Sequence, residues 1–303
     1  MKYQWKRNLG CAAIVALGVF AAAATAQQQG TPPAPPPLKV ANIKDNIYWT
    51  QGGAGGNTGI IVGTTGVIVV DTKTTVDSSK AVQAEIAKIT PKMVDTAIVT
   101  HSDGDHVNGL AGFPPGLTII SQENCKKEME ASAGGRGAAP QDRLPTKTID
   151  KDETMTIDGV KVRLLHFAPG HTSGDLIVFF PAQKVVFAGD LLVTNRPDTL
   201  IHPEKHGSAA GWIENVKGMI ALDADTYVTG HGDLMTKDDV KKKLALIQDK
   251  WDKVKAMVAQ GKSLDDIKTS FGESTAAPVP NAQGNLPAAT LTEVMYNEIT
   301  KKA

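Results

Sequence analysis

Blocks of apolar residues alternate with polar loops along the chain and predict strands and helices in turn. Two runs rich in β-branched residues flank Gly63 to Gly66, and they predict a β-hairpin within residues 57–72. Apolar residues at helical spacing predict the main helices over residues 78–89, 122–133, 209–222, 237–259 and 291–301. Ser263 begins a segment that resembles a capping box and predicts one further short helix. Such a mixture is typical of α/β proteins.

Four apolar runs each end shortly before a side chain that can bind a metal ion. These runs lead into His101, His171, Asp190 and His231. In sheet-based α/β proteins, ligands gather on loops just past the carboxyl ends of strands. The repeated arrangement therefore predicts one functional site built from several strand ends.

The segment HSDGDH, residues 101–106, holds further metal-competent side chains at His101, Asp103, Asp105 and His106. Alternate residues of an extended segment can point into one cavity, while His106 can turn towards a neighbouring one. Imidazole and carboxylate suit zinc, iron or manganese, whereas the lack of thiolate argues against structural zinc of the finger type. The spacing predicts two adjacent metal ions.

These residues resemble the metallo-β-lactamase fold superfamily, whose signature is HxHxDH followed by a distant histidine, an aspartate or cysteine, and a final histidine. The match runs over about residues 40–260. The resemblance implies an α/β fold that is a four-layer αββα sandwich, with the metals in a cleft at one edge of the two sheets. It implies a first metal held by His101, Asp103 and His171, a second held by Asp105, His106 and His231, and Asp190 bridging both. Asp71 matches a family aspartate that orients a ligand.

The same resemblance implies hydrolysis of a small molecule by a metal-bound hydroxide, with Asp105 orienting the water. A bridging aspartate at position 190 is typical of glyoxalase II, lactonases and phosphodiesterases, whereas β-lactamases usually carry cysteine or serine there. The expected target is an ester, thioester, lactone, lactam or related bond. In the family, the long loop after Asp190 overhangs the cleft, so Arg196, His202 and His206 are candidates for contacting substrate. Ordinary solvated loop polarity is the alternative interpretation of these three residues.

Asp103 departs from the family pattern, because most members have histidine at this position. A carboxylate adds harder oxygen ligation, which favours iron or manganese more than an all-imidazole set would. The expected cofactors are two divalent metal ions, with zinc as the first choice and iron or manganese as alternatives. Two alternative hypotheses are an iron-dependent oxidoreductase that resembles a sulfur dioxygenase and a degenerate member of the superfamily without catalytic activity.

Composition and the terminal segments define the expected domain plan and compartment. Basic residues precede the apolar run Cys11 to Ala24, which predicts a signal peptide over residues 1–26 and a periplasmic or secreted protein. The expected plan continues with a proline-rich disordered leader over residues 27–38 and a metallo-β-lactamase-like domain over residues 39–274. It ends with a linker and a terminal helix over residues 275–303. Basic and acidic residues balance at 32 each, which gives no indication of a nucleic-acid partner, and we expect no membrane partner after signal cleavage.

Overall fold

The computed structural model describes residues 35–132, 140–281 and 286–301. The predicted signal peptide, residues 1–26, lies outside the described residues, as does most of the predicted leader. Within the described ranges, no helix combines the length and apolar character needed to cross a bilayer.

Two β-sheets form the centre of the molecule. The first sheet has seven strands in sequence order: β1 (Lys39–Lys44), β2 (Ile47–Gln51), β3 (Thr58–Val62), β4 (Val67–Val70), β5 (Val94–Ile98), β6 (Thr118–Gln122) and β7 (Lys147–Ile149). The second sheet, in spatial order, contains β13 (Met235–Thr236), β12 (Thr226–Val228), β11 (Val185–Phe187), β10 (Ile177–Phe180), β9 (Val160–Leu165) and β8 (Asp152–Ile157). The predicted hairpin is the antiparallel pair β3 and β4, while β4 to β7 run parallel.

The central strands of the first sheet bury both faces because their residues alternate between two cores. Ile61 and Ile68 point inwards and pack with Phe180 of the second sheet. Their neighbours Ile60 and Val69 point outwards into a separate core under the helices. A continuous apolar run such as β4 is therefore the pattern of a strand covered on both sides.

Helices cover the outer face of each sheet. They are α1 (Val76–Ile89), α2 (Gly104–Val107), α3 (Glu123–Ala131), α4 (Ala209–Ala221), α5 (Lys237–Ala259), α6 (Leu264–Ser270) and α7 (Leu291–Lys301). Val82 of α1 and Met129 of α3 pack against the first sheet. Trp212 of α4, Ile247 of α5 and Met295 of α7 pack together over the second. The layers are therefore αββα, as predicted, and the terminal helix α7 shares its core with α4 and α5.

Candidate metal centre

Strand ends from both sheets converge at one edge of the sandwich. His101 follows β5 of the first sheet, and His171 lies on the loop between β9 and β10 of the second. Asp190 and His231 follow β11 and β12, which are parallel neighbours, so their carboxyl ends lie side by side. A hydrogen bond of 2.8 Å from Gly230 N to Gly189 O joins these two loops. The topology thus explains why residues far apart in sequence meet.

The HSDGDH segment changes conformation at Asp103. Asp103 has extended backbone, with φ −67° and ψ 138°, and α2 begins at the next residue. The N–H of His106 donates to the carbonyl of Asp103 at 2.9 Å, which closes the first helical turn. An extended segment followed by a tight turn sends Asp105 and His106 to a different group of ligands from Asp103.

The potential ligand atoms form three overlapping groups, each with its atoms within 4.8 Å of one another. These groups are His101, Asp103 and His171; His101, His106 and Asp190; and Asp105, His106 and His231. All seven residues named from the sequence are therefore brought together. The overlap of the groups describes a site with room for two neighbouring ions.

Asp190 lies between the two outer groups, and its Oδ2 faces a histidine of each. Its Oδ1 is 3.3 Å from His106 Nε2, while its Oδ2 is 3.5 Å from His231 Nε2 and 3.9 Å from His171 Nε2. A carboxylate in this position has the geometry needed to bridge two cations.

Two buried polar atoms of the cluster suggest that metal ions complete it. Among the described residues, His101 Nε2 and Asp190 Oδ1 are buried and have no hydrogen-bond partner. Two imidazole nitrogens, His106 Nε2 and His231 Nε2, also face each other at 3.3 Å. Unsatisfied buried polar atoms are costly, and imidazole with carboxylate is a donor set for zinc, iron or manganese. The residues present therefore fit two divalent ions.

Hydrogen bonds to the second ring nitrogen aim two of the buried histidines at the centre. His106 Nδ1 donates to Asp71 Oδ2 at 2.8 Å, and His171 Nδ1 donates to the carbonyl of Leu200 at 2.8 Å. Because these acceptors hold the proton on Nδ1, the lone pair of Nε2 points into the cluster. Asp71 is itself fixed by the N–H and hydroxyl of Thr100, at 2.8 and 2.7 Å.

Two glycines allow the close packing around these ligands. A Cβ on Gly230 would lie 1.9 Å from Asp190 Oδ1, and a Cβ on Gly56 would lie 2.3 Å from the His106 ring. Any larger residue at either position would displace a potential ligand.

Charges within the cluster shift the pKa values of its members in opposite directions. Burial and the charge of His106 lower the pKa of His101 to about 3. Burial would also lower the pKa of His171, but a hydrogen bond to Asp103 and the charge of Asp190 raise it to about 9. Burial would raise the pKa of Asp105, but His231 and His106 lower it to about 2. The carboxylates are thus ionised at neutral pH, and protons on the imidazoles must leave when metal binds.

The three candidate substrate contacts occupy different places. His202 lies beside the cluster, with its Nε2 3.3 Å from Asp103 Oδ2. Arg196 is exposed and lines a groove with Glu273. His206 is exposed and lines another pocket with Lys127 and Glu128. Among the described residues, His202 is the one of the three that forms an ion pair with a member of the cluster.

A cavity of about 330 Å³ opens beside His231. Its walls include Gly52 and Gly53 of the glycine-rich loop after β2, Asn195 of the loop after Asp190, and Pro36. The N–H of Gly53 donates to the carbonyl of Pro36 at 2.7 Å, so the end of the predicted leader is held against this loop. The cavity is large enough for a small molecule.

Two lysines contribute to the site without having been predicted. Lys205 Nζ lies 2.5 Å from Asp103 Oδ1. Lys73 is fully buried and donates to the carbonyls of Gly52 and Gly56 at 2.8 and 2.6 Å, which ties down the glycine-rich loop. Neither lysine stands in a recognisable motif, and only the folded loops show which groups they reach.

Comparisons with known proteins agree with this geometry. The family model described as the metallo-beta-lactamase superfamily matches residues 52–231, which is more than half of the chain. The alpha subunit of a 2,4-dinitroanisole O-demethylase from Nocardioides sp. (strain JS1661) is 30% identical over 194 residues, covering 64% of this chain and 55% of the relative. A type 2 metallo-beta-lactamase from Elizabethkingia meningoseptica is 24% identical over 260 residues, covering 82% of this chain and 98% of the relative.

A solved structure shows the same fold. The inverting sec-alkylsulfatase Pisa1 from Pseudomonas sp. superimposes with a TM-score of 0.66 at 15% identity, covering 87% of this chain and 50% of that one. The chain thus spans about half the length of both the demethylase subunit and this alkylsulfatase. Three observations agree: the matching family model, the two-sheet architecture and the cluster of seven imidazole and carboxylate side chains. This chain belongs to the metallo-β-lactamase superfamily.

Proposed function

We propose that this chain is an exported hydrolase that uses two divalent metal ions to cleave an ester, thioester, lactone, lactam or related bond in a small molecule. The observation that carries the proposal is the position of Asp190, whose carboxylate lies 3.9 Å from His171 Nε2 of the first group and 3.3 and 3.5 Å from His106 and His231 Nε2 of the second. Zinc is the first choice of metal, and iron or manganese are the alternatives.

Each group of side chains has a defined task in this proposal. His101, Asp103 and His171 would hold the first ion, Asp105, His106 and His231 would hold the second, and Asp190 would be within reach of both. When bound, the ions lower the pKa of water and polarise the bond to be cleaved. Asp71 keeps the proton on His106 Nδ1 and thereby leaves Nε2 available for a metal.

Asp105 is the residue that we propose to act directly on the attacking water. Its side chain is 37% exposed, whereas the other acidic members of the cluster are more deeply buried. Its lowered pKa, about 2, keeps it ionised at neutral pH, so it can accept a hydrogen bond from water and orient it. His231 fixes this carboxylate through a contact of 3.0 Å between Nε2 and Oδ2.

The substrate proposal follows from the cavity and the relatives together. A cavity of about 330 Å³ beside His231 is large enough for a small molecule. The relatives are named as an O-demethylase, a metallo-beta-lactamase and an alkylsulfatase. A first panel therefore contains sulfate esters and aryl methyl ethers beside carboxylic esters, thioesters, lactones and β-lactams.

Export to the periplasm or the medium is proposed from the sequence alone, from the basic residues and apolar run that precede Ala26. A test is whether the N-terminus of the protein recovered from cells begins at Gln27. Recovery from the cytoplasm with the first 26 residues intact would contradict this part of the proposal.

An iron oxidoreductase is the second candidate function, and Asp103 is the observation that favours it. This carboxylate gives the cluster three aspartates beside four histidines, a harder donor set than one with histidine at that position. Oxygen uptake by the iron-loaded protein separates the two candidates.

The direct test is hydrolysis of the panel by the chain from Gln27 onwards, before and after chelation. We expect hydrolysis to disappear with the metal and to return when zinc is added. Asp105→Asn is expected to lower kcat by at least about 100-fold, because positioned acid–base groups contribute on that scale. Asp142→Asn is the control, since Asp142 is 77% exposed and belongs to none of the three ligand groups. Hydrolysis that survives complete metal removal, or oxygen uptake without hydrolysis, would contradict the proposal.

A further inference from the structure

Three imidazole nitrogens surround a single oxygen of Asp103. Oδ2 lies 3.2 Å from His171 Nε2, 3.3 Å from His202 Nε2 and 3.8 Å from His101 Nε2. Adjacent ligands of one zinc ion are separated by about 3–3.5 Å, given metal–ligand bonds of about 2.1 Å. The distance between His202 Nε2 and Asp103 Oδ2 therefore matches the spacing of two ligands on one ion.

The ring of His202 is oriented in the same manner as the buried histidines. Its Nδ1 lies 2.5 Å from Glu204 Oε1, and a carboxylate there holds the proton on Nδ1. Nε2 then faces Asp103 Oδ2, to which it donates a hydrogen bond when protonated, and it has a lone pair for a metal ion when it is not. The ring also packs edge-on against His171, with 4.8 Å between the centroids.

Backbone hydrogen bonds join the segment carrying His202 to the loop carrying His171. The N–H of His202 donates to the carbonyl of His171 at 2.8 Å, and the N–H of Ser208 donates to the carbonyl of Gly170 at 2.8 Å. Between them, the N–H of Ser173 donates to the carbonyl of Lys205 at 2.9 Å. Because these bonds tie the two segments together, His202 keeps a fixed distance from His171 instead of swinging freely over the cleft.

Lys205 limits what Asp103 can offer to a metal. Its Nζ lies 2.5 Å from Asp103 Oδ1 and also contacts Ser102 Oγ at 3.1 Å. With Oδ1 engaged by an ammonium group, Asp103 presents Oδ2 alone to the imidazoles. One oxygen with two imidazoles, from His101 and His171, makes three protein ligands, and His202 is placed to be the fourth.

We propose that His202 is a fourth protein ligand of the first metal ion, and that Lys205 holds Asp103 as a single-oxygen ligand beside it. This inference rests on the proposed binuclear centre and changes its first site from three protein ligands to four, besides the shared Asp190. A metal ion with more protein ligands is held more tightly and has fewer positions open for water.

The test compares metal binding by the chain from Gln27 onwards and three variants, using zinc in competition with a chromophoric chelator. His202→Ala removes the ring, whereas His202→Gln keeps a side chain that can donate a hydrogen bond to Asp103. His206→Asn is the matched control, because it removes an exposed histidine from the same loop and asparagine tolerates the left-handed backbone there, with φ 55°. The visible absorption of the cobalt-loaded proteins reports the coordination of each ion.

We expect both His202 variants to bind one of the two zinc ions more than about 100-fold more weakly than the unsubstituted chain. Removing a residue that only hydrogen-bonds to a metal ligand usually weakens metal binding by about 10- to 100-fold, so a larger loss indicates a ligand. The cobalt spectrum of that ion should change, and His206→Asn should match the unsubstituted chain. Unchanged zinc affinity in either His202 variant would overturn the inference. If His202→Gln alone kept the affinity, His202 would be a hydrogen-bond donor to Asp103 and not a metal ligand. An unsubstituted chain that binds no zinc would instead overturn the proposed binuclear centre.

Discussion

Replacing Asp71 with asparagine keeps the size of the side chain but removes one of its two acceptor oxygens. In the structure, Oδ1 accepts from the N–H of Thr100, while Oδ2 accepts from the Thr100 hydroxyl and from His106 Nδ1. An amide has one oxygen and one NH₂ group. Whichever way the substituted amide turns, its NH₂ group faces a buried N–H that had an acceptor before.

The size of the effect follows from these three contacts. A buried donor left without an acceptor costs about 1–3 kcal/mol of unfolding free energy. Loss of the carboxylate that orients His106 weakens metal binding by about 10- to 100-fold, which corresponds to about 1.4–2.8 kcal/mol. The fold itself should persist, because Asp71 lies at the end of β4 and outside the three apolar cores.

Two measurements check this prediction: chemical unfolding of the metal-free protein, and competition with a chelator for zinc. Asp45→Asn is the matched control, since Asp45 is exposed and has similar left-handed backbone, φ 49° against 60° for Asp71. The control should leave both quantities unchanged. Unaltered zinc affinity in Asp71→Asn would refute the argument that this carboxylate prepares His106 to bind metal.

Three further outcomes are expected. Asp190→Ala should reduce both metal occupancy and hydrolysis while leaving the circular dichroism spectrum largely unchanged; hydrolysis that survives would show that Asp190 does not bridge. Because the pKa of His171 is raised to about 9, zinc must displace one proton from His171 below pH 9, and zinc affinity should fall by about tenfold for each pH unit below 9. Calorimetry in buffers of different ionisation enthalpy would detect the released proton. Burial lowers the pKa of Lys73 from 10.5 to about 8. Between pH 8 and 10.5 Lys73 is therefore protonated in the unfolded chain but not in the folded one, and the free energy of unfolding should rise by about 3 kcal/mol over this range. Lys73→Met should abolish that rise in urea unfolding curves; an equal rise in the variant would show that another group causes it.

The parts of the fold that were predictable are those governed by local chemistry. α5 has the predicted bounds of 237 and 259, and α6 begins at a capping box in which Ser263 and Asp266 bond to each other's backbone. The hairpin of β3 and β4 follows from β-branched residues around a glycine-rich turn. In each case, the residues that determine the element lie within a few positions of it.

The candidate site was predictable to the extent that its side chains follow strands. His101, Asp190 and His231 come just after apolar runs, so the sheet topology brings them together. The contacts of His202 and Lys205 were not predictable, because the conformation of their loop depends on hydrogen bonds to residues 170–173, about 30 positions earlier. No local pattern specifies which of the polar residues in such a loop turns inwards.

The most direct test of the binuclear centre is the metal content of the chain from Gln27 onwards, measured by elemental mass spectrometry after gel filtration without added metal. The geometry of Asp190 between two groups of imidazoles predicts about two divalent ions per chain, and zinc would support the hydrolase. Iron in their place would favour the oxidoreductase. A chain that holds no metal, even after incubation with zinc, iron and manganese in turn, would contradict the account.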